Sequence, residues 1–278
     1  MKIILTGTGT SHGIPVIGCT CDVCKSTDPR DTRFRCGALV FGSDGTTIAI
    51  DTPPEFRLQA LRYGLIKLDA LLISHSHADH VHGLDDVRIF STTKKKDNTA
   101  PTPPLRVFAN EGTINDIRKR FDYVFITTQA GGGKPQLELI DVTATNFAKP
   151  FTIGSLTIES VPVFHGTLPV CGWKITDLNS CKTFAYITDC NAIPDSSIEK
   201  ITASDVCILD SLRLRPHPTH LSFQEGIEYA KKIRAKSTYF THICHDNSHM
   251  QIQDWINKNW TLKEQTLSPA YDGLEFLL

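Results

Sequence analysis

The chain has 278 residues, 29 Lys and Arg against 30 Asp and Glu, a net charge of −1 and 40% hydrophobic residues. That length buries a substantial core, and the near-neutral charge excludes the global basic field that draws a protein to nucleic acid or to an anionic membrane. No apolar run approaches the roughly 18 residues of a membrane span, and the opening run is too short for a signal peptide. Nine Cys in a chain without one argue for reduced thiols. The expectation is a cytosolic protein with no membrane partner, folded as one domain over residues 1–278.

Residues 3–5 read as a strand that ends in Gly7-Thr8-Gly9-Thr10-Ser11-His12-Gly13. Glycine-rich loops can cradle phosphate on their amides, but two glycines at this spacing are ordinary in tight turns, and the turn is the better reading. Next, Cys19, Cys21 and Cys24 supply three thiolates that can converge on one tetrahedral ion, for which zinc is the usual occupant. A fourth ligand is missing locally. Residues 38–41 and 47–50 flank Ser43-Asp44-Gly45 as a hairpin. Asp51, at its end, is placed to orient metal-bound histidines. Residues 55–63 have helical spacing, and Gly64 stops them.

The apolar strand 70–73 then runs into His75-Ser76-His77-Ala78-Asp79-His80, with Gly83 turning the chain. Alternate residues of a strand share a face, so His75 and His77 project together. Asp79 and His80 lie one turn further on and can serve a second ion. This His-x-His-x-Asp-His stretch resembles the signature of the metallo-β-lactamase superfamily. The resemblance implies an α+β fold, the four-layer αβ/βα sandwich of that type, with a two-metal hydrolytic centre beside the loop 7–13. The Cys-x-Cys-x-x-Cys cluster resembles a feature of one branch, the phosphoribosyl 1,2-cyclic phosphate phosphodiesterases and their relatives, where it forms a structural zinc site.

Further on, residues 84–90 read as a helix and 91–104 as a loop whose Lys94, Lys95 and Lys96 are a solvated charge run. A strand at 106–108, a helix at 111–120 and a glycine turn at 131–135 follow. The alternating strand 156–163 delivers His165. Residues 173–175 and 183–187 form the next hairpin, with Asp189 at its end and Cys190 as a small packed neighbour. Residues 205–210 are a buried strand. Ser222-Phe223-Gln224-Glu225 is a capping box, so a helix starts just after His220 and runs towards Lys232. A His beside a helix N-terminus suits contact with a phosphate oxygen. His217 is the less favoured neighbour. Strand 238–241 carries His242 at its end, with Cys244, His245 and His249 close behind, and residues 270–276 read as a closing turn and strand.

By resemblance, His75, His77 and His165 take one ion, and Asp79, His80 and His242 take the other. Asp189 bridges them, as two close cations require an anion between them. The same resemblance makes His245 the fourth ligand to Cys19, Cys21 and Cys24, with Cys244 and His249 competing, and makes His220 the general acid. Asp79 and Asp51 orient ligands and water. The implied enzyme is a phosphodiesterase with two divalent ions (Zn²⁺ or Mn²⁺) and one structural zinc. It hydrolyses a small phosphorylated substrate such as 5-phosphoribosyl 1,2-cyclic phosphate by attack of metal-held hydroxide, with a homodimer as the family expectation. A transfer-RNA 3′-end endonuclease shares the ligand set, but no basic inserted arm of the usual size is present. A non-catalytic member, as in pyrroloquinoline quinone biosynthesis, is disfavoured by the intact ligand set.

Overall fold

The computed structural model describes residues 1–91, 103–126, 133–144 and 148–278; the lysines at 94–96 and the glycines at 131 and 132 lie outside the described residues. Six strands come first: β1 (Lys2–Gly7), β2 (Gly37–Phe41), β3 (Thr47–Ile50), β4 (Ala70–Leu72), β5 (Leu105–Ala109) and β6 (Leu137–Asp141). Seven more form a second sheet: β7 (Phe151–Ile153), β8 (Leu156–His165), β9 (Leu168–Asp177), β10 (Thr183–Ile187), β11 (Val206–Asp210), β12 (Ser237–Thr241) and β13 (Thr266–Pro269). The last strand, β14 (Glu275–Leu277), returns to the first sheet beside β1.

The orders are β14-β1-β2-β3-β4-β5-β6 and β13-β12-β11-β10-β9-β8-β7. Each sheet has an antiparallel half and a parallel half. Strands β3 to β6 run parallel, as do β10 to β13. Parallel strands are covered on both faces and read as continuous apolar runs, which explains Val206-Cys207-Ile208-Leu209 and the fully buried β4.

Helices α1 (Phe56–Arg62), α2 (Ala78–Val81), α3 (Glu111–Arg120) and α4 (Asp122–Phe125) are joined by α5 (Asp195–Ile201), α6 (Phe223–Ile233) and α7 (His249–Asn259). The segment Leu84–Phe90 is 3₁₀ rather than α, a tighter winding than its apolar spacing suggests. Apolar side chains sort into three layers. Ile3, Leu5, Val40, Ile48 and Leu72 meet Ile158, Trp173, Phe184 and Tyr186 between the sheets. Leu71, Ile73, Val81, Ile114 and Ile117 pack the first sheet against its helices. Cys207, Leu209, Ile198, Ile227 and Ile252 pack the second sheet against its own. Helix, sheet, sheet, helix is the four-layer sandwich expected above.

The capping boxes are formed. Ser222 accepts from the Glu225 amide while the Glu225 carboxylate receives the Ser222 amide, and Ser248 does the same with Gln251 at α7. Helices α5 and α7 and the short strands β6, β7 and β13 were not expected from the sequence. All are peripheral, and the strands are too short to show a clear alternation.

At the end of the second sheet away from the C-termini of its parallel strands, one carboxylate ties three strands together. Asp205, just before β11, accepts from the Thr183 amide at 2.9 Å on β10, and from Lys182 at 3.2 Å and Lys236 at 2.8 Å. Burial works to raise its pKa, yet these hydrogen bonds, led by Lys236, together outweigh burial and lower it to about 2. A depressed carboxylate stabilises the fold above its unfolded pKa, and that contribution is lost as pH falls through the folded value. Asp205→Asn is therefore expected to lower Tm at pH 7 by on the order of 3 °C, with the difference shrinking as the pH is taken from about 4 to about 2. A difference that persists at the acid end contradicts the ionic origin; thermal melts over that range check it.

Candidate metal centre

The parallel strands end together. Asp51 follows β3, the His75–His80 segment follows β4, Asp189 follows β10, Asp210 closes β11 and His242 follows β12; His165 closes β8. Ligand sites form at the carboxyl ends of parallel strands because the connections diverge there. Three of these residues have a left-handed backbone without being glycine: Asp51 (φ 61°), Asp189 (φ 51°) and His242 (φ 58°). Each such residue costs of order 1–3 kcal/mol and survives where the surroundings over-determine it. Here the turn swings each side chain off its strand and into one cluster.

Two groups hold the sequence-derived ligands. One ligand atom each from His75, His77 and His165 lies within 4.8 Å of the others, and the same holds for Asp79, His80, Asp189 and His242; a third set, overlapping the second, is Asp189, Asp210, His220 and His242. His75 Nε2 and His77 Nδ1 are 2.9 Å apart. His80 Nε2 lies 2.6 Å from one oxygen of Asp189, and His242 Nε2 lies 3.0 Å from the other. His75 Nε2 is 3.9 Å from Asp189 Oδ1, so that carboxylate stands between the two groups. The sequence-derived residues of the centre are thus brought together, Asp189 at the middle.

The chemistry of this donor set fits divalent cations. Asp51, Asp79, Asp189 and Asp210 are all buried, between 0 and 9% exposed. Among the described residues their ion-pair partners are histidines alone. Stranding a carboxylate in the interior costs several kcal/mol, and two divalent ions would balance four of them. Orphaned atoms point the same way. His80 Nε2 and both oxygens of Asp189 are buried and make no properly angled hydrogen bond despite their closeness.

Protein charges alone already pull the protonation states apart. Burial depresses His75 well below the usual imidazole range. Burial acts on His80 likewise, but Asp189, Asp79 and Asp51 together outweigh it and raise that imidazole. Asp189 is held low against burial by His242 and His80. A cation in the same place would displace these protons.

A second layer of residues fixes the first. Asp51 Oδ2 receives His80 Nδ1 at 2.7 Å, and Asp51 also accepts the Ser74 amide at 2.7 Å and the Ser74 hydroxyl at 2.8 Å. His165 Nδ1 bonds the Thr219 carbonyl at 2.7 Å, turning Nε2 inward. Such bonds select the tautomer and orientation of a ligating imidazole. His220 is buried, its ring stacked on His242 at 4.5 Å and 4.6 Å from His165.

Asp210 is the residue the sequence reading passed over. It is fully buried, accepts the Leu221 amide at 3.0 Å and the Cys190 amide at 3.3 Å, and faces His220 Nδ1 at 3.2 Å. The only signal for it was its place at the end of a buried strand, the same signal that singled out Asp189. His217 stands further out, its ring 5.2 Å from His220.

A separate cluster lies at the protein's edge. Cys19, Cys21 and Cys24 place their sulfurs 3.4, 3.5 and 3.3 Å from His245 Nδ1. Cys244 and His249 are not part of it; His249 instead meets the buried Arg33 at 3.4 Å. The Cys24 amide leads in lowering the Cys21 thiol to about 6, while burial pushes the neighbouring Cys24 thiol up to about 11. Three sulfurs and one imidazole nitrogen on one point make a tetrahedral soft site, which suits zinc.

A family profile described as Beta-lactamase superfamily domain matches residues 46–243. Over 279 residues the chain is 33% identical to a Porphyromonas gingivalis (strain ATCC BAA-308 / W83) protein named octanoyltransferase, covering 100% of this chain and 52% of that protein. The chain thus spans about half the length of that curated relative. Among solved structures, a diphosphatase from the PhnP family shares 36% identity at a TM-score of 0.83, covering 99% of this chain and 96% of its own. Zinc-bound PqqB from Methylobacterium extorquens shares 16% at a TM-score of 0.76, covering 100% of both chains. Human tRNase Z, short form, shares 15% at 0.66, covering 100% of this chain and 99% of its own. The last two share the fold.

The orienting role of Asp51 has a direct consequence. Asp51→Asn keeps the volume but gives up the charge that holds His80 and Ser74, so divalent-ion affinity at the His/Asp cluster is expected to fall about 10–100-fold. Competition with a chromogenic chelator measures it, and unchanged affinity contradicts the role.

Proposed function

The chain belongs to the beta-lactamase superfamily domain family, and on that premise we propose that it is a metal-dependent hydrolase, a phosphodiesterase acting on a small, cyclic or open, phosphodiester. The observation that carries this reading is the convergence of two ligand groups on Asp189 with an Asp-backed histidine, His220, on the rim of the same cluster. The 36% identity to a PhnP-family diphosphatase over nearly the whole chain supports cleavage of a P–O bond, and 5-phosphoribosyl 1,2-cyclic phosphate, the substrate the sequence resemblance implies, is the first to test. Nine free cysteines support a reducing, cytosolic setting.

In this reading His75, His77 and His165 would hold one ion and Asp79, His80 and His242 the other, with Asp189 available to both. Divalent ions bound there supply an acidified water as nucleophile and offset the charge that builds on the phosphoryl oxygens. The rest falls to the chain's own groups. Asp210 accepts Nδ1–H of His220, which turns Nε2 towards the cluster and supports the positive charge of the protonated ring. An alkoxide leaving group of high pKa needs a proton, and His220 Nε2–H is the donor. The stacked His242 ring and the Thr219 carbonyl, which grips His165, keep His220 in register with the ligands. Zn²⁺ and Mn²⁺ both suit these imidazole and carboxylate donors. At the edge, Cys19, Cys21, Cys24 and His245 hold a structural zinc.

The test is turnover by Mn²⁺-loaded protein on 5-phosphoribosyl 1,2-cyclic phosphate, on a dinucleoside diphosphate and on a 3′-extended transfer-RNA precursor. Opening of the cyclic ester with inert RNA is the expected result; cleavage of RNA alone overturns the proposal. His220→Ala should lower kcat about 10²–10⁴-fold on a poor leaving group, and far less on a nitrophenyl ester that needs no proton. Equal losses on both contradict its acid role. Cys21→Ser should lose one zinc per chain and lower Tm while sparing the other ions; full zinc content by elemental analysis contradicts the structural site.

A further inference from the structure

The segment that carries His75 and His77 is held from behind by a helix that supplies no ligand. Along this segment His75 and His77 join the ligand group, the Ser74 hydroxyl stays among Asp51, His75 and His80, and Ser76 turns to α3. Ser74 is gripped by Asp51, as described above. Ser76 is gripped by α3 at its hydroxyl and its carbonyl. Its hydroxyl donates to Asp116 Oδ2 at 2.5 Å, and its carbonyl accepts a hydrogen bond from the Arg120 guanidinium. Asp116 and Arg120 are one turn apart on the same helix face, 3.9 Å from one another.

The helix is itself anchored. Asn110 caps it by accepting the Thr113 amide at 2.8 Å and donates to the Pro169 carbonyl on β9 at 3.0 Å, while Ile114 and Ile117 are buried in the core beneath. Ser76 is 5% exposed although His77, the next residue, is exposed. The His77 ring touches only the fellow ligands His75 and His165, so its direction depends also on the backbone at Ser76.

We propose that Asp116 and Arg120 are positioning residues for the ion held by His75, His77 and His165, acting through Ser76, and that they leave the ion of Asp79, His80 and His242 to the separate grip of Asp51. This rests on the two-ion reading above. Asp51 reaches both ligand groups, His80 directly and His75 through the Ser74 hydroxyl 3.1 Å from its Nδ1, whereas the surface brace of Asp116 and Arg120 reaches only the group that contains His77. Because side chains of Asp116 and Arg120 are 47 and 40% exposed, they can be changed without opening the core.

The experiment is a zinc titration of the full-length protein in metal buffers of defined free concentration, read as ions bound per chain by elemental analysis, for wild type, Asp116→Ala and Arg120→Ala. The expected result is that one of the two His/Asp transitions moves to at least ~10-fold higher free zinc in each variant, while the other and the Cys-site transition stay in place. Thermal melts in excess chelator should overlay wild type. Asp116→Asn, which keeps an acceptor for the Ser76 hydroxyl, should recover most of the shift, a rescue that a general loss of stability would not give. Unmoved transitions, or all transitions shifting together with a lowered chelator melt, overturn the brace. A wild type that binds zinc only at the Cys site overturns the two-ion reading and the brace with it, which separates the two failures.

Discussion

Four carboxylates buried within one cluster of imidazoles are the constraint on which the rest of this structure turns. Asp51, Asp79, Asp189 and Asp210 are buried, and no Lys or Arg among the described residues pairs with them. Their histidine partners offset only part of the cost of burying four carboxylates together. Sharing the charges with cations offsets the remainder. The unsatisfied oxygens of Asp189 and the unpartnered Nε2 of His80 mark the place where that sharing would occur.

The fold delivers these groups by one repeated device. A parallel strand buried on both faces ends, the chain turns sharply, and the first polar residues after the turn point into the space between the two sheets' carboxyl ends. The left-handed backbone at Asp51, Asp189 and His242 is the local cost of that turn, and hydrogen bonds to Ser74 and His80 hold Asp51 there. The antiparallel halves and the outer helices contribute rigidity. Asp205 ties β10, β11 and β12 at their other ends, which keeps Asp189, Asp210 and His242 in relative register.

Much of this was legible in the sequence because metal ligation leaves local marks. The His75–His80 segment carries four ligand-type side chains in six residues directly after an apolar strand, and Cys19, Cys21 and Cys24 lie in one short loop. The single residues His165, Asp189 and His242 carry no such mark. They gained meaning from their places at strand ends and from resemblance. Asp210 was passed over because an Asp closing a buried strand looks like any strand terminus until the fold puts His220 Nδ1 3.2 Å away. Asp116 and Arg120 were invisible for a related reason. They sit on an amphipathic helix where charged residues are expected, and only tertiary contact shows that they face Ser76. Long-range partners of this kind leave no periodic signal.

The central claim is that Asp189 stands between two ions, with a third held apart by cysteines. The most direct measurement is anomalous diffraction at the zinc edge from crystals of zinc-loaded protein. The account predicts three peaks per chain: one on each side of the Asp189 carboxylate, among His75, His77 and His165 and among Asp79, His80 and His242, and one among Cys19, Cys21, Cys24 and His245. A single peak at the His/Asp cluster, or two that do not flank Asp189, would contradict it.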